Sequence, residues 1–456
     1  MDLIRYLKQN EGKTLEFKEN CLSLPKLVRT VVAFANTAGG TLIIGVRDKT
    51  KEVIGISDPL KEEERLSNAF ADRIRPLMIP DIRFSSFRGR SLISVFVPHA
   101  IGPYYVRSEG PEKGVYVRLG STNRRAGPEM IEAIRRLARN ISFDEQPCRE
   151  INSEDIDFRA ASEFFSSVSR KLTPQIAKSL GLLVSQGRKD IPSLGAVLLF
   201  GKNRQRFFPD AVIRCARFHG IETNRFLNQL EIDEHLPQAV ETAIAFIERH
   251  TLQAAEIGRV RRKEIPEYPL QAVREAVINA VVHTDYAISG MNIKIAVFDN
   301  RLEITNPGFL PFGLTLEAAL SGVSKLRNRV IGRVFRELKL IEQWGTGLNR
   351  MISSCEEHGL QPPLFEEIGA TFRVTLFSEP ATIRTFPDWH VLLRTHLSAN
   401  KQITTKEAAR IWGTSDRTAR TRLRGLVEQG ELAEVGTGPK DPKKVYVLKG
   451  IQGDKT

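Results

Sequence analysis

Three polar side chains recur at helical spacing inside an otherwise apolar run. Residues 270–283 read LQAVREAVINAVVH, with Glu275, Asn279 and His283 at i, i+4 and i+8. That spacing puts them on one stripe of a helix otherwise fit for burial. A carboxylate and an amide one turn apart can hold a water and a Mg²⁺ ion. The carboxylate orients or deprotonates the water, and the amide oxygen ligates the metal. The same pattern also fits a plain polar helix face with a capped histidine, so the neighbouring sequence has to decide between the two.

That sequence supplies more candidate chemistry. Strands are expected over 292–298 and 301–305, joined by the turn formers Asp299-Asn300. Asn306-Pro307-Gly308 then breaks the chain sharply, and a polar, basic stretch holds Gly322, Ser324, Lys325, Arg327 and Asn328. Trp344-Gly345-Thr346-Gly347-Leu348 opens a further helix. Glycines at a helix start expose backbone N–H groups to a phosphate. A strand over 371–377 completes the set.

A second constellation lies near the C-terminus. Thr404-Thr405-Lys406-Glu407 is a capping box that starts a helix, and Gly413 is a good stop for it. Ser415 can cap a second helix whose apolar side is Ala419, Leu423, Leu426 and Val427. Arg417, Arg420 and Arg424 share another face, with Arg422 on its flank. Short strands over 432–435 and 445–448 flank a basic loop with Lys440, Lys443 and Lys444. Helix, turn, arginine-rich helix and basic hairpin predict a winged helix. Its arginine face would enter the DNA major groove and its wing lysines would neutralise phosphates. A winged helix that binds protein, or a merely solvated face, is the plainer alternative.

These elements sit in a chain of 456 residues with a formal net charge of +13. Its length predicts roughly two to four domains. Hydrophobic residues at 41% and charged residues at 27% exclude wholesale disorder. No run reaches the roughly 18 apolar residues of a membrane span, and no secretory signal is expected. Cys21, Cys148, Cys215 and Cys355 are too dispersed for a zinc pattern or a disulfide framework, so a cytoplasmic setting is expected. The charge excess is terminal: residues 1–150 carry 25 basic against 19 acidic side chains, and 384–449 carry 13 against 7. Basic ends fit polyanion contact or simple solubilising surface. Four segments emerge: 1–140, a connecting domain over 150–264, 265–380 and 384–449. In the second, strands are expected over 195–200 and 212–218 and a helix over 236–250. In the first, a helix over 27–35 leads through Gly39-Gly40 into a buried strand over 41–46.

In order and spacing, 265–378 resembles the ATP-binding (GHKL) fold of gyrase, MutL, Hsp90-type chaperones and histidine kinases, in the divergent branch fused to Schlafen-like domains. The resemblance implies ATP and Mg²⁺ as cofactors. It assigns Glu275 to water activation where hydrolysis occurs, and Asn279 to the metal. Asn306 and Gly308 would face adenine, and Gly345 and Gly347 the phosphates. His283, Lys325 and Arg327 complete the candidate cofactor set. The chain departs from the pattern in three places: Asn306 stands where the wider family has Asp, Thr284 follows His283 where Arg is frequent, and Phe309 follows Gly308 where a second Gly is frequent.

At the other end, Glu11, Glu16-Phe17-Lys18 and the run from Phe34 through Gly39-Gly40 to Asp48, with Tyr116 to Thr122, resemble the Schlafen-like AlbA domain. Some Schlafen proteins cleave RNA with two Glu and one Asp. The resemblance therefore implies Glu11, Glu16 and Asp48 as catalytic, Mg²⁺- or Mn²⁺-binding carboxylates, with Lys18 beside them. Arg118, Arg124 and Arg125 are candidates for phosphate-backbone contact or for an exposed basic loop.

The expectation is an α/β (α+β) multidomain protein: AlbA module, connecting domain, GHKL-like α/β sandwich and winged helix. The leading function is a cytoplasmic, ATP-responsive transcriptional regulator that binds DNA, with RNA as a second candidate. One alternative is a metal-dependent Schlafen-type nuclease effector gated by ATP, used in defence. Another is a protein-docking scaffold. The resemblance also implies a homodimer or higher homo-oligomer, and the lack of a long apolar run predicts no membrane partner.

Overall fold

The computed structural model describes residues 3–48, 50–251, 253–257, 262–341, 347–378, 393, 396–397, 400, 402–428, 432–436 and 444–448. The chain is mixed α/β with several sheets. It divides into two compact units, Met1–Ile134 with Ile383–Thr456, and Arg135–Thr382. No described helix is long and apolar enough to cross a membrane.

In the first unit, the helix Leu24–Thr37 links the parallel strands Leu15–Lys18 and Gly40–Ile44. Leu27, Val28 and every residue from Thr30 to Thr37 are buried. Gly39 ends the helix with φ +74°, and a Cβ there would lie 2.8 Å from Val97 O, so only glycine fits the turn. Arg90–Val97 pairs antiparallel with Gly40–Ile44, and Asp81–Phe87 closes the four-stranded sheet. Strand alternation splits its side chains between two cores. Leu42, Ile44, Ile93 and Val95 pack with the helix residues Val31 and Phe34. Leu15, Phe17, Ile43 and Leu92 pack with Leu3 and Leu7 and with Val435, Val445 and Val447.

The last three belong to the C-terminal segment. There a three-stranded sheet runs in the order Ile403–Thr404, Val445–Leu448, Leu432–Val435. The helices Thr405–Ile411 and Asp416–Glu428 pack on it through Ala408, Ala419, Leu423 and Leu426. The capping box forms as expected, with Glu407 N donating to Thr404 Oγ1 at 3.2 Å and Thr404 N donating to Glu407 Oε2 at 2.8 Å. Ser415 caps the second helix through Thr418 N at 3.2 Å.

The second unit is built on a six-stranded sheet. Its order is Phe226–Ile232, Ile213–Phe218, Ile293–Val297, Arg301–Pro307, Thr371–Phe377, Leu364–Ile368. Ile213–Phe218 runs parallel to Ile293–Val297 and the other pairings are antiparallel. The helices Leu236–His250 and Leu270–His283 pack on it, and Val240, Val277, Val281, Ile213, Ile295 and Ile304 share one core.

Two expectations meet a different structure here. The boundary expected near 264 falls inside this sheet and core. Strands on either side of it pair directly, so the edge of the earlier segment is closed by the later one. The strand expected over 195–200 is the helix Leu194–Phe200, capped by Ser193 Oγ at 3.1 Å from Ala196 N and buried from Gly195 to Phe200. A short run buried on every side has no period that separates strand from helix.

Candidate nucleotide pocket and nucleic-acid surfaces

The stripe on Leu270–His283 faces a cavity of about 130 Å³, several times what a single water needs. Glu275, Asn279 and His283 line it, with Asn306, Lys325, Gly347 and Arg350. Its apolar wall includes Ile304, Phe309, Leu314, Met351 and Phe372. A mainly apolar cleft with a few convergent polar groups is the usual form of a small-molecule site.

At one part of this pocket, Asn279 Nδ2 donates to Glu275 Oε1 at 3.1 Å and Arg350 donates to Glu275 Oε2 at 3.1 Å. With Nδ2 turned to Glu275, the amide oxygen of Asn279 is the atom left to face a cation. Gly347 is the first residue of the helix Gly347–Glu357, and a Cβ on it would collide with Glu275 Oε1. The helix N-terminus can approach the carboxylate only because position 347 has no side chain. Sequence reading missed Arg350. Its signal was present: it lies at i+3 from Gly347, one turn into a helix already singled out for its glycines.

Elsewhere in the lining, the His283 ring is half-buried and its Nδ1 is shielded without a hydrogen-bond partner among the described residues. Burial, and after it the Arg327 charge, pulls the imidazole down to about 4. It is therefore neutral near pH 7. Asn306 is buried, and its Nδ2 donates to Pro307 O at 3.1 Å. Lys325 Nζ donates to Phe312 O, and burial, then Arg329, lowers its pKa.

Gly308 and Arg327 play a supporting part. Gly308 has φ +93°, and a Cβ there would lie 2.8 Å from Asp285 Cβ. Arg327 pairs with Asp285 Oδ2 at 2.7 Å and donates to Phe309 O. It pins the turn behind the pocket instead of lining it. Asn328, fully buried, donates to Val282 O at 2.9 Å and Thr284 O at 2.7 Å, which fixes the C-terminal end of the Glu275 helix. Gly345 lies outside the described residues.

The N-terminal carboxylates are arranged differently. Glu16 is buried and pairs with both Lys18 and Arg118. Glu11 Oε1 accepts from Phe17 N at 2.6 Å. Burial raises the Glu11 pKa, the Phe17 amide opposes this, and the charges of Glu16 and Asp48 add to it. Asp48 is exposed in a turn. Among the described residues, no group of three or more His, Cys, Asp or Glu is placed to hold a metal ion. Glu16 is committed to two cations of its own chain and does not fit an open ligand position.

Arg118 corrects an expectation. It is 1% exposed, and it donates to Gly12 O at 2.9 Å, Leu15 O at 3.2 Å and Asn123 Oδ1 at 2.9 Å. A guanidinium enclosed this way binds its own backbone and cannot reach a phosphate. Arg124 and Arg125 are exposed, and Arg125 pairs with Glu109 at 3.1 Å.

In the C-terminal segment, Arg417, Arg420 and Arg424 are exposed on one helix and have no ion pair among the described residues. Arg422 lies over the Trp412 ring at 5.8 Å. Lys444 pairs with Glu434 at 3.0 Å, so its charge is partly spent within the hairpin. Lys440 and Lys443 lie outside the described residues.

Comparison with known proteins bears on two stretches of the chain, 11–127 and 290–376. A search of curated proteins finds no match. Among solved structures, the DIP2311 protein from Corynebacterium diphtheriae is 19% identical over 96% of this chain and 95% of its own, with a TM-score of 0.46. The N-terminal domain of the "Putative ATP-dependent DNA Helicase RecG-related Protein" from Nitrosomonas europaea is 27% identical over 27% of this chain and 90% of its own, with a TM-score of 0.22. Two family profiles match: "Schlafen, AlbA_2" over residues 11–127 and "Putative ATP-dependent DNA helicase recG C-terminal" over residues 290–376. The chain therefore combines a Schlafen AlbA_2 domain with an ATPase-like domain of the RecG C-terminal type.

Proposed function

We propose that this protein binds ATP in the pocket lined by Glu275, Asn279 and Gly347, and contacts nucleic acid through its first unit, as a nucleotide-responsive transcriptional regulator. The observation that carries the reading is the convergence of that carboxylate, amide and helix N-terminus in one cleft, with Gly347 inside the ATPase-like match and Glu275 and Asn279 just before it. A Mg²⁺ ion fits this donor set. It commonly takes one or two protein oxygens and completes its shell with phosphates and water, which Asn279 and Glu275 can supply. When bound, the cation would neutralise phosphate charge. The chain's residues orient the nucleotide, exclude water along the Ile304–Phe372 wall, and hold a water at Glu275.

The exposed arginines of Asp416–Glu428 support DNA contact. The commitment of Glu16 to Arg118 and Lys18 favours the regulator over a metal-dependent nuclease. An equilibrium titration with fluorescent ATP and Mg²⁺, followed by duplex DNA binding with and without ATP, tests the whole reading. Binding below millimolar nucleotide, and DNA affinity that falls steeply with salt and changes with ATP, is the expected result. No binding at millimolar nucleotide overturns the pocket assignment. Salt-independent DNA binding, or binding unaffected by Arg417→Ala with Arg420→Ala, overturns the DNA assignment.

A further inference from the structure

The pocket holds an anion of its own. A helix N-terminus attracts negative charge, and here the group set against the start of Gly347–Glu357 is the Glu275 carboxylate. Arg350, one turn into that helix and also lining the pocket, donates to the same carboxylate at 3.1 Å. One side chain thus already holds Arg350 and lies against the helix start, the two features that would draw in a phosphate. Asn279 steadies it from the other oxygen at 3.1 Å.

We propose that Arg350 is a switch arginine: a nucleotide phosphate takes it from Glu275, and Glu275 is thereby released to its own task at a water or cation. This rests on the nucleotide reading above and adds the order of events to it. The exchange is favoured because a phosphate chain brings more negative charge and more acceptor oxygens than one carboxylate. No bond is made or broken; one charge-assisted hydrogen bond is traded for another. Glu275 then acts as an internal competitor in the absence of a divalent cation and as a partner in its presence. A carboxylate beside a phosphate is repulsive until a cation lies between them.

Isothermal titration of the full chain with ATP and with adenosine, each in EDTA and in Mg²⁺, tests this with three variants. Glu275→Gln should bind ATP roughly fivefold tighter than wild type in EDTA, the fold-change of a part-exposed ion pair. That advantage should vanish or reverse in Mg²⁺. Arg350→Met should lose the preference for ATP over adenosine while keeping wild-type adenosine affinity, and Arg350→Lys should restore part of that preference. Unchanged or weaker EDTA binding by Glu275→Gln would overturn the switch, as would a loss of adenosine binding in Arg350→Met, which marks a structural role. If wild type binds neither ATP nor adenosine, the nucleotide reading itself fails, a result distinct from both.

Discussion

Buried charge sets the strongest residue-level predictions. Arg118 and Glu16 neutralise each other inside the first unit. Arg118→Met would leave Glu16 buried beside a single, part-exposed Lys18. Breaking such a pair costs about 3–5 kcal/mol, and urea unfolding of the variant would show it. Adding Glu16→Gln should recover part of the loss, because the uncompensated charge is then gone. His283 makes a pH prediction. Its folded-state pKa is depressed to about 4, so as pH falls below about 6.5 the unfolded chain takes up this proton before the folded chain does. The stability His283 contributes is present above that pH and is lost as pH falls toward about 4. His283→Gln, which cannot protonate, should therefore lose less of its urea midpoint than wild type between pH 7 and pH 5. Equal losses would show that the ring does not sense this window.

Among the elements, the helix Arg329–Glu337 is informative because its cap comes from far away in sequence. Asn328 makes no side-chain cap bond. Instead the Asp144 carboxylate accepts from Arg329 N at 3.0 Å and Ile331 N at 2.9 Å. Burial raises the Asp144 pKa, while Ser142 and the helix amides pull it back. Glu145 adds an ion pair with Arg333 at 2.7 Å. Asp144→Ala would leave buried amides unpaired, at about 1–3 kcal/mol, and should lower the unfolding midpoint of the second unit. Asp144→Asn keeps an acceptor and should lose less. The same helix is preceded by Asn328, which holds the end of the Glu275 helix, so its anchoring supports the pocket wall.

On the scale of the whole molecule, the two ends of the chain share one unit. Val435, Val445 and Val447 fill a core with Leu3, Leu7, Leu15 and Phe17. Removing residues 384–456 should uncover that apolar face of the N-terminal sheet. Each buried valine side chain is worth about 1.5–3 kcal/mol. Hydrogen exchange of the truncated chain should show lost protection in Leu15–Lys18 and Gly40–Ile44. Unchanged protection would mean that the N-terminal sheet holds without the hairpin. The packing also shapes the nucleic-acid reading, since the hairpin commits one face to the protein and leaves Arg417, Arg420 and Arg424 of the Asp416–Glu428 helix exposed.

The sequence by itself determined what depends on near neighbours. Helical period placed Glu275, Asn279 and His283 on one stripe, glycine marked the Gly39 turn and the Gly347 helix start, and the capping box fixed the start of Thr405–Ile411. These are interactions over a few residues, written directly in spacing. Tertiary structure decided what depends on distant partners. It buried Arg118, expected from the sequence to contact phosphate or to lie in an exposed basic loop. It turned the apolar run at Leu194–Phe200 into a helix, joined the 150–264 and 265–380 segments in one sheet, and brought Arg350 onto Glu275 across 75 positions. Charge and polarity in a sequence say that a side chain needs a partner. Only the folded chain says whether that partner is water, a ligand or the protein itself.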